Sequence, residues 1–300
     1  MEIKVKRLIL SITLLSLFLF AGGCGTSDGK NSLYVSPYDA VYSNLVDNES
    51  QELLSIALKN ADVQSAYTDV LFESINKYND AVGSVLPVQS GFEVFTKDTT
   101  IVYDSTKLER KWKREYNNLS GRKNCRITAF EAMGSLISYD SSFQITEQLL
   151  LVEIDDSSAF QSKEEIEKFA VLFNGIVSDE NDNAGTQADR IKTYWEQAGV
   201  RFPDDETISL ISVWYNGTDL YSDNDQYILH CGHAAVMIDT EDGDVLLLEK
   251  LDYNFPYQLI KFPSEEMALK YIEDLYITGT TGDNTGPIVF VNDHMINEMQ

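Results

Sequence analysis

The chain has 300 residues and carries 48 acidic against 23 basic residues, which gives a net charge of −25. Phosphate backbones repel a chain this acidic, so the composition argues against a nucleic-acid partner. Hydrophobic residues make up 43% of the sequence, too many for a disordered acidic chain, and predict a globular fold with a sizeable core. Three cysteines are too few for a disulfide scaffold.

The first 23 residues have the pattern of an export signal. Lys4, Lys6 and Arg7 precede an apolar run at 8–20, which is followed by small residues. This run is shorter than the roughly 20 residues that a membrane-spanning helix needs. A basic start, a short apolar segment and small residues are typical of a secretory signal peptide, which we therefore place at 1–23.

The end of this signal resembles a bacterial lipobox. Ala21-Gly-Gly-Cys24 has the cysteine at the expected cleavage point, although Ala21 stands where Leu is commonest. The resemblance implies cleavage before Cys24, lipidation of its thiol and anchoring of the protein to the extracytoplasmic face of the cell membrane. A plain cleaved signal or a short N-terminal anchor is the alternative. The polar residues 24–36 are expected to form a flexible tether.

The next segments are mostly helical in pattern. Apolar spacing predicts helices at 50–61, capped by Ser50, and at 63–82, so residues 37–100 are expected to form an N-terminal helical portion. A strand is predicted at 92–103, followed by a helix at 104–119 with Asp104 or Ser105 as its cap. A further helix is predicted at 125–138 and a strand at 148–154.

Residues 155–205 are strongly acidic and contain predicted helices at 164–174 and 187–198. Between them, the acidic run at 179–183 invites a calcium interpretation. It lacks the ordered ligand spacing and the turn glycine of an EF-hand loop, so a solvated loop is the preferred interpretation.

Strands are concentrated in the C-terminal third. They are predicted at 206–214, 226–238, 245–251 and 288–291, with an amphipathic helix at 265–276. Gly243 suits the turn that joins the second and third of these strands. Strands grouped late in the chain, with helices packed on them, predict an α+β fold rather than a doubly wound sheet.

A cysteine stands where a loop enters a helix. Asn124 is at or beside the cap of the helix that Cys125 begins, so the thiol would feel the positive end of the helix dipole. That environment lowers the pKa of a thiol and favours the nucleophilic thiolate. The sequence therefore offers Cys125 as a candidate nucleophile.

A histidine and a glutamate can be brought together by the hairpin at 226–251. Simple closure pairs Asp239 with Val245 and therefore Ala235 with Glu249. His233 and Glu249 then become diagonal neighbours on one face of the sheet. A carboxylate inside the apolar run Leu-Leu-Leu-Glu needs a reason to be there, and orienting an imidazole is such a reason. A slip of one residue in the register would break this argument.

A cysteine at a helix start, a histidine opening a strand and a polar residue on the next strand resemble the papain-like cysteine peptidases and amidases. The closest branches are the NlpC/P60 and CHAP groups, which cleave cell-wall peptides. The resemblance implies an antiparallel sheet packed on the helix that carries Cys125, in a domain at 101–300 with an acidic helical insertion at about 155–205. It implies Cys125, His233 and Glu249 as catalytic residues, with Asn124, Asn118 and Asn254 as oxyanion or supporting residues.

The chain also resembles a group of Gram-positive lipoproteins of unknown function. The shared stretches are Asn124-Cys-Arg126 and a Glu-Lys…Pro-Tyr-Gln pattern formed by Glu249-Lys250 and Pro256-Tyr-Gln258. This resemblance implies a lipid-anchored protein. No cofactor is expected.

Other interpretations of the cysteines and histidines stay open. Cys125 could be an inert buried thiol, or could form a disulfide with Cys231, since export permits one. His230 is a spare candidate for the imidazole, and His294 is expected to be structural. Zinc is not expected, because no second cluster completes four ligands.

A basic segment surrounds the candidate nucleophile between Lys107 and Arg126. Its end at Arg122, Lys123 and Arg126 could be a patch that meets an anionic substrate or wall polymer. The alternative is a solvated helix face that pairs with the protein's own acidic segments.

The favoured function is a membrane-anchored thiol hydrolase of peptide or amide bonds, with peptidoglycan as the substrate class. A non-catalytic lipoprotein that binds a cell-wall component or a protein partner on the same fold is the alternative.

Overall fold

The computed structural model describes residues 38–95, 101, 103–117, 122–145, 160–204, 207–218, 226–277 and 286–296. The signal peptide, Cys24 and the predicted tether lie outside these residues, as do Asn118 and the predicted strand at 148–154. Within the described ranges, no helix combines the length and the apolarity needed to cross a bilayer.

Seven α-helices are present in the described residues. They are α1 (Asn48–Asn60), α2 (Ser65–Val82), α3 (Ser105–Tyr116), α4 (Cys125–Met133), α5 (Lys163–Phe173), α6 (Ala184–Gln197) and α7 (Glu265–Ile272). A short π-helical turn, Glu273–Ile277, continues α7.

Nine strands form one sheet in the same part of the chain. They are β1 (Ala40–Ser43), β2 (Glu93–Phe95), β3 (Ile176–Ser178), β4 (Ile208–Thr218), β5 (Tyr227–Asp239), β6 (Val245–Lys250), β7 (Tyr257–Phe262), β8 (Ile288–Val291) and β9 (His294–Met295). Their order is β2-β1-β7-β6-β5-β4-β8-β9, and β3 also pairs with β5. Every pairing is antiparallel, which confirms the predicted α+β class. The papain-like arrangement stays a prediction.

The two faces of the sheet are covered unequally. One face, which includes Leu210 and Trp214, packs against apolar residues of α1 to α6. The other face, which includes Val213 and Leu247, packs against α7. Side chains alternate between the faces along each strand, so the apolar strands β4 to β6 contribute to both cores. Their near-continuous apolar sequences follow from this double burial.

Several predicted element ends were wrong. The cap of α1 is Asp47, three residues before the predicted cap Ser50, and its side chain accepts the amide of Ser50. The helix predicted at 125–138 ends at Met133, where Gly134 follows. The helix predicted at 265–276 changes to the π-helical turn after Ile272. The caps Asp104 and Asn124 are confirmed.

The N-terminal portion is not helical throughout. β1 pairs with β7, and β2 pairs with β1, so residues 40–95 extend the main sheet as well as supplying α1 and α2. The acidic segment is similarly integrated, because Phe169 and Phe173 of α5 lie in the core beside the sheet and β3 pairs with β5. Both segments therefore share one core with the C-terminal strands.

Candidate functional site

Cys125 is the first residue of α4. Asn124 caps the helix, and its Oδ1 accepts the amide of Ile127 at 3.0 Å. The first bond of the helical ladder runs from the amide of Thr128 to the Asn124 carbonyl. The first N–H groups of any α-helix point out of its start, which is where Cys125 lies. The helix end therefore favours negative charge there.

A bulge at Gly232 sets the directions of the side chains on β5. Val213 pairs with His233, whereas the next residue, Trp214, pairs with Cys231, so Gly232 is the extra residue. A Cβ on Gly232 would lie 2.6 Å from ring atoms of Tyr215, so the close approach of this ring requires glycine. Because the bulge changes the alternation, Cys231 faces the α4 side while His233 faces the α7 side.

The edge of β5 is divided between two strands near this bulge. Its residues 227–229 pair with β3, and its residues 235–239 pair with β6. The thiol of Cys125 lies against the stretch between them: Sγ is 3.9 Å from the carbonyl oxygen of Gly232, and the amide of Ala234 hydrogen-bonds it. The start of α4 therefore closes the opening between β3 and β6.

The predicted register of the hairpin is confirmed. Asp239 pairs with Val245 and Ala235 with Glu249. His233 and Glu249 are diagonal neighbours, with Nε2 of the imidazole 3.4 Å from Oε2 of the carboxylate. The ring of Tyr276 stacks on the imidazole at a centroid distance of 5.2 Å. Since Nε2 faces the carboxylate, Nδ1 is the nitrogen available to the thiol.

Cys125 and His233 perturb each other's protonation. Burial alone would raise the pKa of the Cys125 thiol, but its hydrogen bond to His233 and the nearby charges of His233 and Arg126 outweigh burial and lower the pKa. Burial alone would lower the pKa of His233, but its interactions with the Cys125 thiol and the Glu249 carboxylate raise the pKa to about 9. Together these shifts favour a thiolate–imidazolium pair at neutral pH.

The Glu-Lys…Pro-Tyr-Gln stretch is explained by the pairing of β6 with β7. Glu249 lies opposite Gln258, and Lys250 lies opposite Tyr257. Nε2 of Gln258 donates to Oε1 of Glu249 at 2.9 Å, and the hydroxyl of Tyr271 on α7 donates to the same oxygen at 3.0 Å. Sequence reasoning assigned Gln258 and Tyr271 no role, although extending the hairpin register across β7 places Gln258 beside the carboxylate.

Lys250 fixes the loop that follows β6. Its side chain is fully buried, and the ammonium donates to the carbonyls of Asp252, Tyr253 and Phe255. It also lies 4.2 Å from the centre of the Tyr78 ring. Burial lowers the pKa of Lys250 to about 7. The Lys250 side chain therefore stabilises the turn that contains Tyr253 and Asn254.

The predicted supporting residues have different positions. Nδ2 of Asn124 lies 3.4 Å from the hydroxyl of Tyr253. Asn254 accepts a hydrogen bond from Arg122 through its side chain and one from Tyr78 through its carbonyl, so it joins the loop to the approach to α4. Asn118 lies outside the described residues.

The predicted basic patch is wrong at Lys123. This side chain is buried, and its ammonium lies 3.5 Å from the buried carboxylate of Glu131. Burial raises the pKa of Glu131 to about 7, although Lys123 and Ser74 act in the opposite direction. Arg122 contacts Asn254. Only Arg126 of the three acts on the thiol, since its charge contributes to the lowered pKa of Cys125.

The remaining cysteine and histidines lie apart from the Cys125–His233 contact. No disulfide joins Cys125 and Cys231 in the described structure, and Sγ of Cys231 lies 3.1 Å from the carbonyl oxygen of His233. His230 faces the same side as His233 because of the bulge, and it stacks on Tyr215. His294 is exposed beside Asp293. In the described part of the chain, no three His, Cys, Asp or Glu residues are grouped so as to hold a metal ion.

A family described as a domain of unknown function (DUF4300) matches residues 41–296. The match spans nearly all of the described structure, and the chain belongs to this family. Comparisons with curated proteins and with solved structures gave no match.

Proposed function

We propose that this DUF4300 protein is a membrane-anchored, extracytoplasmic thiol hydrolase that cleaves a peptide or amide bond. The observation that carries the proposal is the contact of Cys125, at the start of α4, with His233, whose other nitrogen faces Glu249 at 3.4 Å. A nucleophile, a base and a group that orients the base form the arrangement that covalent acyl transfer requires.

Each group has a defined part in the proposed reaction. The thiolate of Cys125 forms a bond to the carbonyl carbon, and the carbonyl oxygen takes the electron pair. When the C–N bond breaks, the His233 imidazolium gives its proton to the leaving nitrogen. A water molecule then attacks the thioester, His233 accepts its proton, and the Cys125 thiolate leaves as the carboxylate product forms. The start of α4, where backbone N–H groups point out of the helix, is suited to hold the developing oxyanion.

Anchoring and substrate class rest on the sequence. The lipobox-like Ala21-Gly-Gly-Cys24 supports lipidation at Cys24 and an extracytoplasmic location. Peptidoglycan is proposed as the substrate class because the residues around Cys125, His233 and Glu249 resemble the NlpC/P60 and CHAP groups. The acidic charge of −25 does not oppose this, because wall peptides are not polyanions of the nucleic-acid type.

Alkylation by iodoacetamide tests the nucleophile directly. In the full chain at pH 7, Cys125 is expected to react at least about tenfold faster than an ordinary thiol, because a thiol of lowered pKa is largely ionised. Cys231 is the matched control, since it is also buried and lies two residues from His233. Mass spectrometry of the labelled peptides separates the two sites. An ordinary rate at Cys125 would contradict the proposal.

Turnover is tested on purified peptidoglycan by measuring the release of soluble fragments. Cys125→Ala is expected to abolish the release, whereas Cys231→Ala keeps it.

One observation favours a non-catalytic alternative: the Cys125 residue is only 6% exposed. If the protein binds a wall component without cleaving it, both variants sediment with peptidoglycan as the wild type does, and no fragments appear.

A further inference from the structure

Oε1 of Glu249 is fully engaged on the side away from the imidazole. It accepts from Gln258 at 2.9 Å and from Tyr271 at 3.0 Å, and Glu249 is only 1% exposed. The two donors come from different elements, β7 and α7, and approach one oxygen. The other oxygen, Oε2, is thereby directed at His233.

The orientation of the Gln258 amide is itself fixed. Oε1 of Gln258 accepts from the hydroxyl of Tyr103 at 2.6 Å, and Tyr103 in turn accepts from Nδ2 of Asn44 at 2.8 Å. Oδ1 of Asn44 accepts the amide of Val88 at 3.2 Å, which sets the orientation of the asparagine. In this series of hydrogen bonds, each donor is therefore the group farther from Glu249.

The reverse orientation of Gln258 is disfavoured at both ends. Its carbonyl oxygen would face the carboxylate of Glu249, and its NH₂ group would replace the oxygen that now accepts the hydroxyl proton of Tyr103. In a buried site, two facing acceptors cost the desolvation of both groups. The network therefore holds Glu249 as a hydrogen-bond acceptor with one defined oxygen toward the imidazole.

We propose that Gln258 and Tyr271 are positioning residues that hold Glu249 against His233, with the Asn44–Tyr103 pair fixing the Gln258 amide. This inference rests on the proposed function, since it assigns these residues to the same thiol–imidazole–carboxylate site. It also gives the N-terminal portion a part in the site, because Asn44 directly follows β1.

The titratable groups that face Glu249 come from several elements. They are His233 on β5, Tyr103 before α3, Tyr271 on α7 and Tyr276 in the π-helical turn. Burial raises the pKa values of all three tyrosines far above neutrality. The tyrosines therefore stay protonated between pH 5 and pH 9. In this range, a change in the hydrogen bonds of the cluster shows in the titration of His233 and Cys125.

The test is the pH dependence of Cys125 alkylation by iodoacetamide in two variants of the full chain. Gln258→Glu replaces the donor to Glu249 with an acceptor of the same shape, and Tyr271→Phe removes one hydroxyl. Both are expected to raise the midpoint of the alkylation profile by about one pH unit, which approaches a tenfold loss of rate at pH values well below the wild-type midpoint. Above about pH 10 the rates converge with that of the wild type, because the thiol is then ionised without its partner.

Tyr38→Phe is the matched control. Tyr38 packs edge-on against Tyr271 at a ring distance of 5.6 Å, but its hydroxyl donates to Asp274 rather than to Glu249. Its profile is expected to follow the wild type. If one test variant fails to fold, as seen by circular dichroism, the other decides the outcome.

The outcomes separate the two proposals. An ordinary midpoint for the wild-type thiol overturns the proposed function. A low wild-type midpoint that neither variant shifts overturns the positioning role and leaves the function standing. A loss of rate that is uniform across the pH range also overturns the positioning role, because it indicates a general structural effect.

Discussion

At the scale of single residues, the direction of the pKa shift of His233 is unusual for a buried histidine. A buried imidazole ordinarily loses its proton more easily, since burial disfavours charge. Here the thiol on one side and the carboxylate on the other reverse that preference and raise the pKa of His233 to about 9. The charged pair is therefore present from the lowered pKa of Cys125 up to about pH 9, and it fades as His233 loses its proton.

This balance predicts the effect of removing the imidazole. His233→Gln keeps a polar side chain but cannot carry charge, so the Cys125 thiol loses the contact that lowers its pKa. We expect the alkylation rate at pH 7 to fall by at least about tenfold, because a thiol of ordinary pKa, about 8.5, is only a few per cent ionised at that pH. The stopped-flow rate of iodoacetamide labelling measures it.

His230→Gln is the control for that measurement. His230 lies on the same face but stacks on Tyr215, and burial lowers its pKa. An equal loss of rate in both variants would show that the effect does not come from the contact with the thiol.

Cys125, His233 and Glu249 could be predicted as neighbours because local sequence patterns fix the position of each. Cys125 follows a capping residue, and the hairpin turn at Gly243 fixes which residues lie opposite each other on β5 and β6. Tyr271 could not be found this way, because it reaches Glu249 from α7, and no local pattern gives the packing of that helix. Asn44 and Tyr103 join the site only through tertiary contacts.

At the scale of elements, the bulge on β5 is decisive. A regular strand would place Cys231 and His233 on the same face and His230 on the other. With Gly232 as the extra residue, His230 joins the face of His233, and Cys231 turns toward the opposite core. A β-bulge requires no sequence feature beyond a glycine. The face of the sheet on which His230 lies could therefore not be predicted.

Adding a methyl group at the bulge should disturb the site. In Gly232→Ala, the new Cβ would lie 2.6 Å from the Tyr215 ring, which must move. We expect a loss of about 1–3 kcal/mol in the free energy of unfolding, typical of overpacking. Urea denaturation measures this change, and the same protein should show slower labelling of Cys125, since the Gly232 carbonyl lies against its thiol.

Gly217→Ala provides the comparison on the neighbouring strand. A Cβ there would lie 3.8 Å from His230, an ordinary contact distance. Its stability should stay within about 0.5 kcal/mol of the wild type, as for most substitutions away from tight packing. If the two alanine variants were equally stable, the close approach at Gly232 would not be a constraint.

At the scale of the whole molecule, the sheet joins segments that the sequence separates. The α+β class could be predicted, because alternating and continuous apolar strands cluster late in the chain. β1 is four residues long, and β7 follows a loop that the buried Lys250 holds. Neither strand has an alternating pattern, because both are buried on two sides, and so both were missed. The sheet therefore extends farther toward the N-terminus than composition suggests.

The lipid anchor is predicted to be independent of this fold. The described structure begins at Tyr38, beyond the predicted tether, so a change at Cys24 should leave the sheet intact. In cells supplied with labelled palmitate, Cys24→Ser is expected to lose the label completely, while Cys231→Ser retains it. Retention of the label by Cys24→Ser would refute lipidation at that residue. The iodoacetamide rate of Cys125 should be the same with and without the anchor.

β3 and β6 pair with different parts of one edge of β5, and Cys125 contacts the stretch between them. The proposed reactivity of its thiol therefore depends on complete folding. The thiol approaches from the helical layer on one side of the sheet, and the imidazole belongs to the face covered by α7. Neither layer can form the pair alone, and the two residues are far apart in the sequence. In an unfolded or half-assembled chain, Cys125 and Cys231 are therefore expected to be ordinary thiols with no selective reactivity. The proposed reactivity of Cys125 arises only when the last layer has packed, so the fraction of chains that label rapidly would measure how much of the protein has folded.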